Sequence, residues 1–371
     1  MRRVLALAAA VIAGVLLIVS VAWAAEPASP GLSLNEAIGR ALAKSKTLQK
    51  AGLEIDKKYE QRTGASDNLT FTPTLGETYD PRVEQAWYSL LSADLAWRMS
   101  KRAQDAAEDR LVLETCQKYW AVLKAQEKAA AAELKVRQAE LALRQTRARV
   151  QVGLSTAGMS PQLALGSAEA ALAGARTGLA TAENELDSAY EALNLLLDFA
   201  PQYRPVLVDR VQFQPLEVQD LDVHVQRVLE DSPAVWLAAE GVTMAEYYQE
   251  LMWAAGGQYT PHQVRKIELE QARLDAASAR DTARLITRGL YYSIQSLEEA
   301  YASVAEKVKT AEEALRVAAL AQSVGMATAA EVAEREAALA EARKDLFDLV
   351  CQHAYLKMAF QKPWAVSSSS A

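Results

Sequence analysis

The chain carries one long segment twice. Tyr119-Trp120 and Val152-Gly153-Leu154 recur as Tyr291-Tyr292 and Val324-Gly325-Met326, each 172 residues later. The heptapeptide AALAGAR, Ala170 to Arg176, returns as AALAEAR from Ala337 to Arg343. Earlier in each copy, Leu34-x-x-x-Ile38-x-Arg40-Ala41-Leu42-x-x-Ser45 matches Leu221-x-x-x-Val225-x-Arg227-Val228-Leu229-x-x-Ser232. Two copies of one unit make a duplicated scaffold, in which an apolar face that one repeat leaves open is buried against its neighbour.

Proline and glycine mark the breaks. Leu34 to Gln61 reads as helix, and Thr63 to Asp80 as irregular, with Gly64, Pro73 and Gly76 as punctuation. Glu84 to Val152 contains neither residue type, so a helix there runs roughly 100 Å at 1.5 Å per residue. A turn follows at Gly153–Pro161, and Pro161 suits the first turn of a helix reaching about Asp198. Pro201–Leu221, with Pro201, Pro205 and Pro215, is an extended link. The second half repeats the order: helix from Leu221, turn from Gly256-Gly257 to Pro261, long helix to Val324, tip turn, final helix to about Phe360.

A seven-residue rhythm runs through these helices. Leu165, Leu172, Leu179, Leu186 and Leu193 form one ladder, and Ala168, Ala175, Ala182 and Ala189 a second, as in a coiled-coil seam with large and small layers. The counterpart in the second half is Val332, Leu339, Leu346, His353 and Phe360. The preceding helix differs. Its ladders, Val136-Leu143-Val150 and Leu134-Leu141-Ala148, sit two residues apart, or about 200° around the helix. Two stripes suit a palisade or tube in which each stave touches a neighbour on either side; alternatively, the second stripe covers a globular core. The expected fold is all-α: two tandem repeats of long coiled-coil helical hairpins in an α-barrel-type bundle.

The N-terminus reads as an export signal. Arg2-Arg3 precedes apolar Val4 to Val21 and the small-x-small site Ala22-Trp23-Ala24. The apolar run also approaches the ~20 residues that span a bilayer, so a retained anchor is the alternative. Residues 1–24 carry two arginines and no acids, so their removal takes the formal charge from −7 to −9. That excludes the basic surface nucleic acid needs. Cys116 and Cys351 occupy unmatched repeat positions within helical patterns; two buried thiols are expected rather than a bridge.

The chain resembles the TolC-like outer membrane efflux protein family. The residues that carry this are Leu32-Ser33-Leu34-x-Glu36-Ala37-Ile38-x-x-Ala41-Leu42 after the signal, and the Val-Gly-Leu/Met turn in both halves, each followed by an Ala/Leu-rich helix. The resemblance covers nearly all of 32–362. It implies a homotrimer whose helices form a tube through the periplasm, meeting a periplasmic adaptor protein and an inner-membrane transporter at the helical tips. Mapped here, the adaptor-docking tips are Val152, Gly153, Leu154 and Val324, Gly325, Met326. The glycines also suit plain helix ends. The implied division is 1–24 signal peptide or retained anchor, 25–200 first repeat, 201–220 linker, 221–362 second repeat and 363–371 disordered tail. The implied location is the outer membrane or the periplasm and cell envelope.

The family's β-barrel has little room here. A spanning strand needs roughly 9–11 residues, and only Gly256 to Pro261 separates two helical patterns in the second half. In the first half Leu69–Leu75 is strand-like but holds Pro73, and Val83–Leu91 does not alternate cleanly and reads equally as helix. At most one strand pair per chain, six per trimer, falls short of the about eight in the smallest ordinary barrels. The expectation is little or no β-barrel, in a passive conduit or sleeve. The alternative is a non-conducting periplasmic or cell-surface scaffold.

No catalytic constellation, cofactor motif or metal-ligand spacing emerges, and no enzyme is expected. His224, His262 and His353 lie far apart, the glycines form no phosphate loop, and Ser155 and Ser160 have no recognisable partner. Trp87, Tyr88, Trp97 and Tyr247, Tyr248, Trp253, Tyr259 gather at the end away from the tips. They suit either an interfacial belt or a plug capping the bundle. Glu331 and Glu334 suit the dipole of the helix they begin.

Overall fold

The computed structural model describes residues 31–69, 81–152, 160–251 and 261–366. The signal or anchor segment, Gly153, Leu154, Ser155, Trp253, Tyr259, the Gly256-Gly257 turn, nearly all of Leu69–Leu75 and the serine tail lie outside these residues.

Eight helices fill the described residues, four per repeat. The first set is α1 (Leu34–Lys44), α2 (Lys46–Asp67), α3 (Pro81–Gln151) and α4 (Pro161–Leu197). The second is α5 (Leu221–Asp231), α6 (Pro233–Leu251), α7 (His262–Ser323) and α8 (Ala329–Gln361), closed by a 3-10 turn at Pro363–Ala365. The helix expected from Leu34 to Gln61 is two helices. Ser45 leaves the helical region at φ −62, ψ 117, and its hydroxyl accepts from Leu48 N–H at 3.3 Å, starting α2. The second copy breaks at the matching Ser232, φ −64, ψ 121, because the following Pro233 disfavours helical geometry before it. Gly64, expected as punctuation, lies inside α2, and Val83–Leu91 lies inside α3.

Caps explain the helix starts. Ser33 and Glu36 form a capping box: Glu36 N–H donates to the Ser33 hydroxyl at 3.2 Å, and Ser33 N–H to the Glu36 carboxylate at 2.9 Å. Thr328 and Glu331 repeat it at the start of α8. Each such box satisfies two otherwise orphaned N–H donors.

The long helices stand side by side in the order α4, α3, α8, α7. Ion pairs fix their register. Lys128–Glu185, Arg176–Glu140 and Arg147–Glu169 join α3 to α4; Lys135–Glu341 and Arg137–Glu336 join α3 to α8; Arg343–Glu312 joins α8 to α7. Beyond α4 and α8, the layer continues with α2 on α3 and α6 on α7. Helix α3 thus has a long neighbour on each side, though Ala148 of its second stripe is exposed.

The main core lies where α1, α3, α4 and α8 meet, around Tyr119, Trp120, Leu193 and Cys351. Both cysteines are buried free thiols. Lys135 against Glu341 sets α3 antiparallel to α8, a register that puts Cys116 level with about residue 360, roughly 13 Å along the axis from Cys351 at 1.5 Å per residue. Burial pushes the thiols up to about 11 and about 12, leaving them unreactive near neutrality.

Residues 68–80 separate α2 from α3, and 252–261 separate α6 from α7. Neither link is long enough for two spanning strands of roughly 9–11 residues each. No described helix is long and apolar enough to cross a membrane.

Candidate docking tips and exposed helix faces

The second tip is a tight helix end. Gly325 takes φ +76. Its N–H reaches Gln322 O at 3.0 Å, and Met326 N–H reaches Ala321 O at 2.8 Å. This is the double bond of a Schellman cap, which needs a left-handed residue at this position. Glycine supplies it without a side-chain clash. The flanking side chains do no such work: Val324 is 69% and Met326 84% exposed. Two bare apolar side chains thus crown a turn held by backbone alone. At the first tip Val152 is likewise exposed, its N–H bonded to Ala148 O at 3.2 Å.

The seam residues of α4 share one side of their helix. Leu165, Leu172, Leu179 and Leu186 are half-buried and Leu193 is buried, while most other positions on α4 are exposed. On α8, Leu339 is buried and Val332 and Leu346 half-buried, but the burial extends around the helix because α8 touches both α3 and α7.

The edge helices carry faces the sequence reading missed. At about 100° per residue, the exposed Ile267, Leu274, Leu285, Tyr292 and Val317 of α7 fall in one row. The row lies opposite the buried Leu269, Ala276, Thr287 and Ile294. Its signal was legible as Ile267, Leu274 and Leu285, Tyr292 at seven-residue spacing. The outer face of α4 presents small residues over its middle stretch, at Ala170, Gly174, Gly178, Thr181 and Ser188, with the exposed Leu163 and Leu195 on the same face at either end. A Cβ added at Gly174 or Gly178 would meet nothing within 4 Å.

The linker is tied to both repeats. Leu32 pairs with Leu207 in a parallel bridge. The Tyr119 hydroxyl donates to Leu32 O at 2.9 Å and accepts from Asp209 N–H at 3.2 Å. The first copy of the repeated aromatic pair thus anchors the link. Farther along, Leu216 N–H donates to Glu298 at 2.6 Å, and Phe213 stacks on Tyr301 at 3.7 Å between centroids. His353 is buried at its seam position, its Nε2 3.0 Å from Glu298 and its ring tilted against Phe213.

The remaining histidines are dispersed. His224 stacks on Phe360 with Nε2 3.0 Å from Phe360 O, and His262 is exposed at the start of α7. Among the described residues, no group of three or more His, Cys, Asp or Glu side chains gathers as metal ligands would. Of the aromatics, Tyr88 meets Tyr248 at 6.1 Å across α3 and α6. Trp97 packs on Tyr59 and carries Lys101 over its ring at 3.5 Å. Trp236 carries Arg102 at 4.5 Å, and Arg98 bridges to Glu240 at 3.0 and 3.1 Å. Glu331 serves the α8 capping box.

No family model matches the sequence, and no curated protein does. Solved structures do match. The CmeC outer membrane channel of Campylobacter jejuni aligns with TM-score 0.66 at 13% identity, over 91% of this chain and 87% of that one. CusC, described in terms of folding and transmembrane channel formation, aligns at 0.65 and 14% over 92% and 94%. The open-state MtrE outer membrane channel of Neisseria gonorrhoeae aligns at 0.63 and 17% over 90% and 88%. The fold is therefore that of the TolC-like outer membrane channels. The described residues build it from helices, with links at 68–80 and 252–261 too short for paired spanning strands.

Proposed function

We propose that this chain is an outer-membrane-efflux-type component of a tripartite export system. It forms a passive helical conduit, closed by copies of itself, that docks to a periplasmic adaptor and an inner-membrane transporter. The observation that carries the reading is the row of staves with two unfinished edges. The outer row of α7 carries the large exposed Ile267, Leu274, Leu285 and Tyr292, whereas the outer face of α4 is small and open from Ala170 to Gly178, between the exposed Leu163 and Leu195. Large side chains set against small ones let helices approach and interlock. A heterologous edge-to-edge contact generates a ring when its rotation closes, and a homotrimer is the closure that the resemblance to the TolC-like family implies. The docking surface in this reading is the two tips, Val152, Gly153 and Leu154 with Val324, Gly325 and Met326, and the exposure of Val152, Val324 and Met326 supports it. The outer membrane or periplasm is the location this reading requires.

The test is mass measurement of the purified mature chain, followed by capture with a candidate adaptor. A trimer that retains the adaptor supports the conduit. A monomer that retains none sinks it and favours the second reading, a non-conducting envelope scaffold. That alternative draws its support from the short links at 68–80 and 252–261.

A further inference from the structure

A crevice of about 370 Å³ opens where the α5–α6 elbow, one flank of α7 and the Pro363–Ala365 turn meet. Small-molecule sites run roughly 300–1,000 Å³ and pair apolar walls with a few convergent polar groups. Asp275, Ser278 and Thr282 line it from α7, and Ser232, only 5% exposed, lines it from the elbow. Among the described residues, no hydrogen bond or ion pair engages the Asp275 carboxylate or the hydroxyls of Ser232, Ser278 and Thr282. Farther along α7 the pattern differs: the Thr287 and Ser293 hydroxyls fold back onto Ala283 O and Gly289 O at 2.7 and 2.9 Å. Trp364 lines the crevice too. Its indole N–H donates to Asp109 of α3 at 2.9 Å, and Lys362 pairs with the same carboxylate, which fixes the ring. Ile286 adds apolar wall.

We propose that this crevice binds an organic ammonium or guanidinium group carrying an apolar substituent. Asp275 supplies the counter-charge. The three hydroxyls accept the cation's N–H donors, and Trp364 and Ile286 take the substituent. An indole is also the best aromatic partner for a cation, and the formal charge of −7 attracts cations to the whole surface. The same chemistry has two sources: a free small amine, or a lysine or arginine of a second copy. The proposal stands apart from the conduit reading, because the crevice is complete within one chain.

Calorimetric titration of the full mature chain with benzylammonium at neutral pH tests it, with benzyl alcohol as the neutral counterpart. Wild-type protein is expected to bind the ammonium saturably and the alcohol far more weakly. Loss of a charged hydrogen bond is expected to weaken Asp275→Asn about tenfold or more, with helicity by circular dichroism unchanged. If Asp275→Asn and wild type have equal mass, the source is a free amine. If Asp275→Asn dissociates, and benzylammonium dissociates wild type, the source is a second copy. Equal binding of alcohol and ammonium overturns the proposal. So does an absence of ammonium binding with the mass of Asp275→Asn unchanged.

Discussion

Tyr119 and Trp120 are neighbours in sequence and both buried, yet their polar atoms fare differently. The Tyr119 hydroxyl serves two backbone groups, Leu32 O and Asp209 N–H. The Trp120 indole N–H is buried without a partner among the described residues. Removing the first hydroxyl strands the Asp209 N–H but not the Leu32 carbonyl, which also accepts from Val208 N–H at 3.2 Å, so the cost is about 1 kcal/mol, the low end for a stranded group. Removing the second loses no bond. Tyr119→Phe is therefore expected to lower the urea midpoint modestly through one stranded N–H, and Trp120→Phe to act only through the core volume it removes. An unchanged midpoint in Tyr119→Phe would mean that Tyr119 acts by packing alone. Glu341 gives a pH signature at the same scale. Hydrogen bonds from Lys135 and Lys344 hold its carboxyl down to about 2, from an ordinary value near 4.5. A carboxylate depressed in the folded state stabilises the fold above its unfolded value and loses that contribution as pH falls toward the folded one. Between about pH 4.5 and 2, the melting temperature of wild type should therefore fall more steeply than that of Glu341→Gln. Identical slopes would show that the pair is screened by solvent.

At the scale of elements, Gly325 and its neighbours separate folding from docking. Gly325→Ala places a side chain at φ +76 and is expected to cost about 1–2 kcal/mol, read as a lower unfolding midpoint. Met326→Ser removes an exposed side chain with no cap role and should leave the midpoint unchanged while weakening adaptor capture. Loss of stability in Met326→Ser, or undiminished capture, would remove the tip from the docking surface. The long helices were legible because a run without proline, and from Glu84 to Val152 without glycine either, leaves few alternatives. The elbows were less so. Ser45 and Ser232 were visible as matched residues but not as breaks, because serine signals a cap only when a helix is already known to stop before it. Gly64 misled in the other direction, since an isolated glycine inside a helix costs only ~1 kcal/mol and α2 absorbs it. The linker's anchors were not legible at all. Tyr119 with Asp209 and Glu298 with Leu216 pair residues about 80–90 positions apart, and no local pattern marks such contacts.

At the scale of the whole molecule, the duplicated repeat is an unfinished surface. Among the described residues, α3 stands between α4 and α8 and α8 between α3 and α7, whereas α7 meets α8, α6 and α5 and keeps an apolar row in the open. Leu285 is 74% and Tyr292 59% exposed on that row. A single exposed leucine needs no explanation, but two exposed apolar pairs on one helix face, Ile267 with Leu274 and Leu285 with Tyr292, do, even with Ser278 and Asp281 between them. If copies meet through this row, a charge placed there is buried unpaired and opposes association strongly. The same charge on a free helix surface costs little, usually within about 0.5 kcal/mol. The double variant Leu285→Glu with Tyr292→Glu should therefore lower the mass of the assembled protein toward that of one chain, with helicity and melting temperature of the monomer preserved. Ala277→Glu is the control: it is exposed on the same helix but lies about 80° off the row, and it should leave the mass unchanged. Dissociation by both variants would point to general charge repulsion in an already acidic chain. Dissociation by neither would leave the α7 row facing solvent or a different protein, and the conduit would then have to close through another face. Dissociation by the double variant alone would tie assembly to the α7 edge, which no helix among the described residues covers.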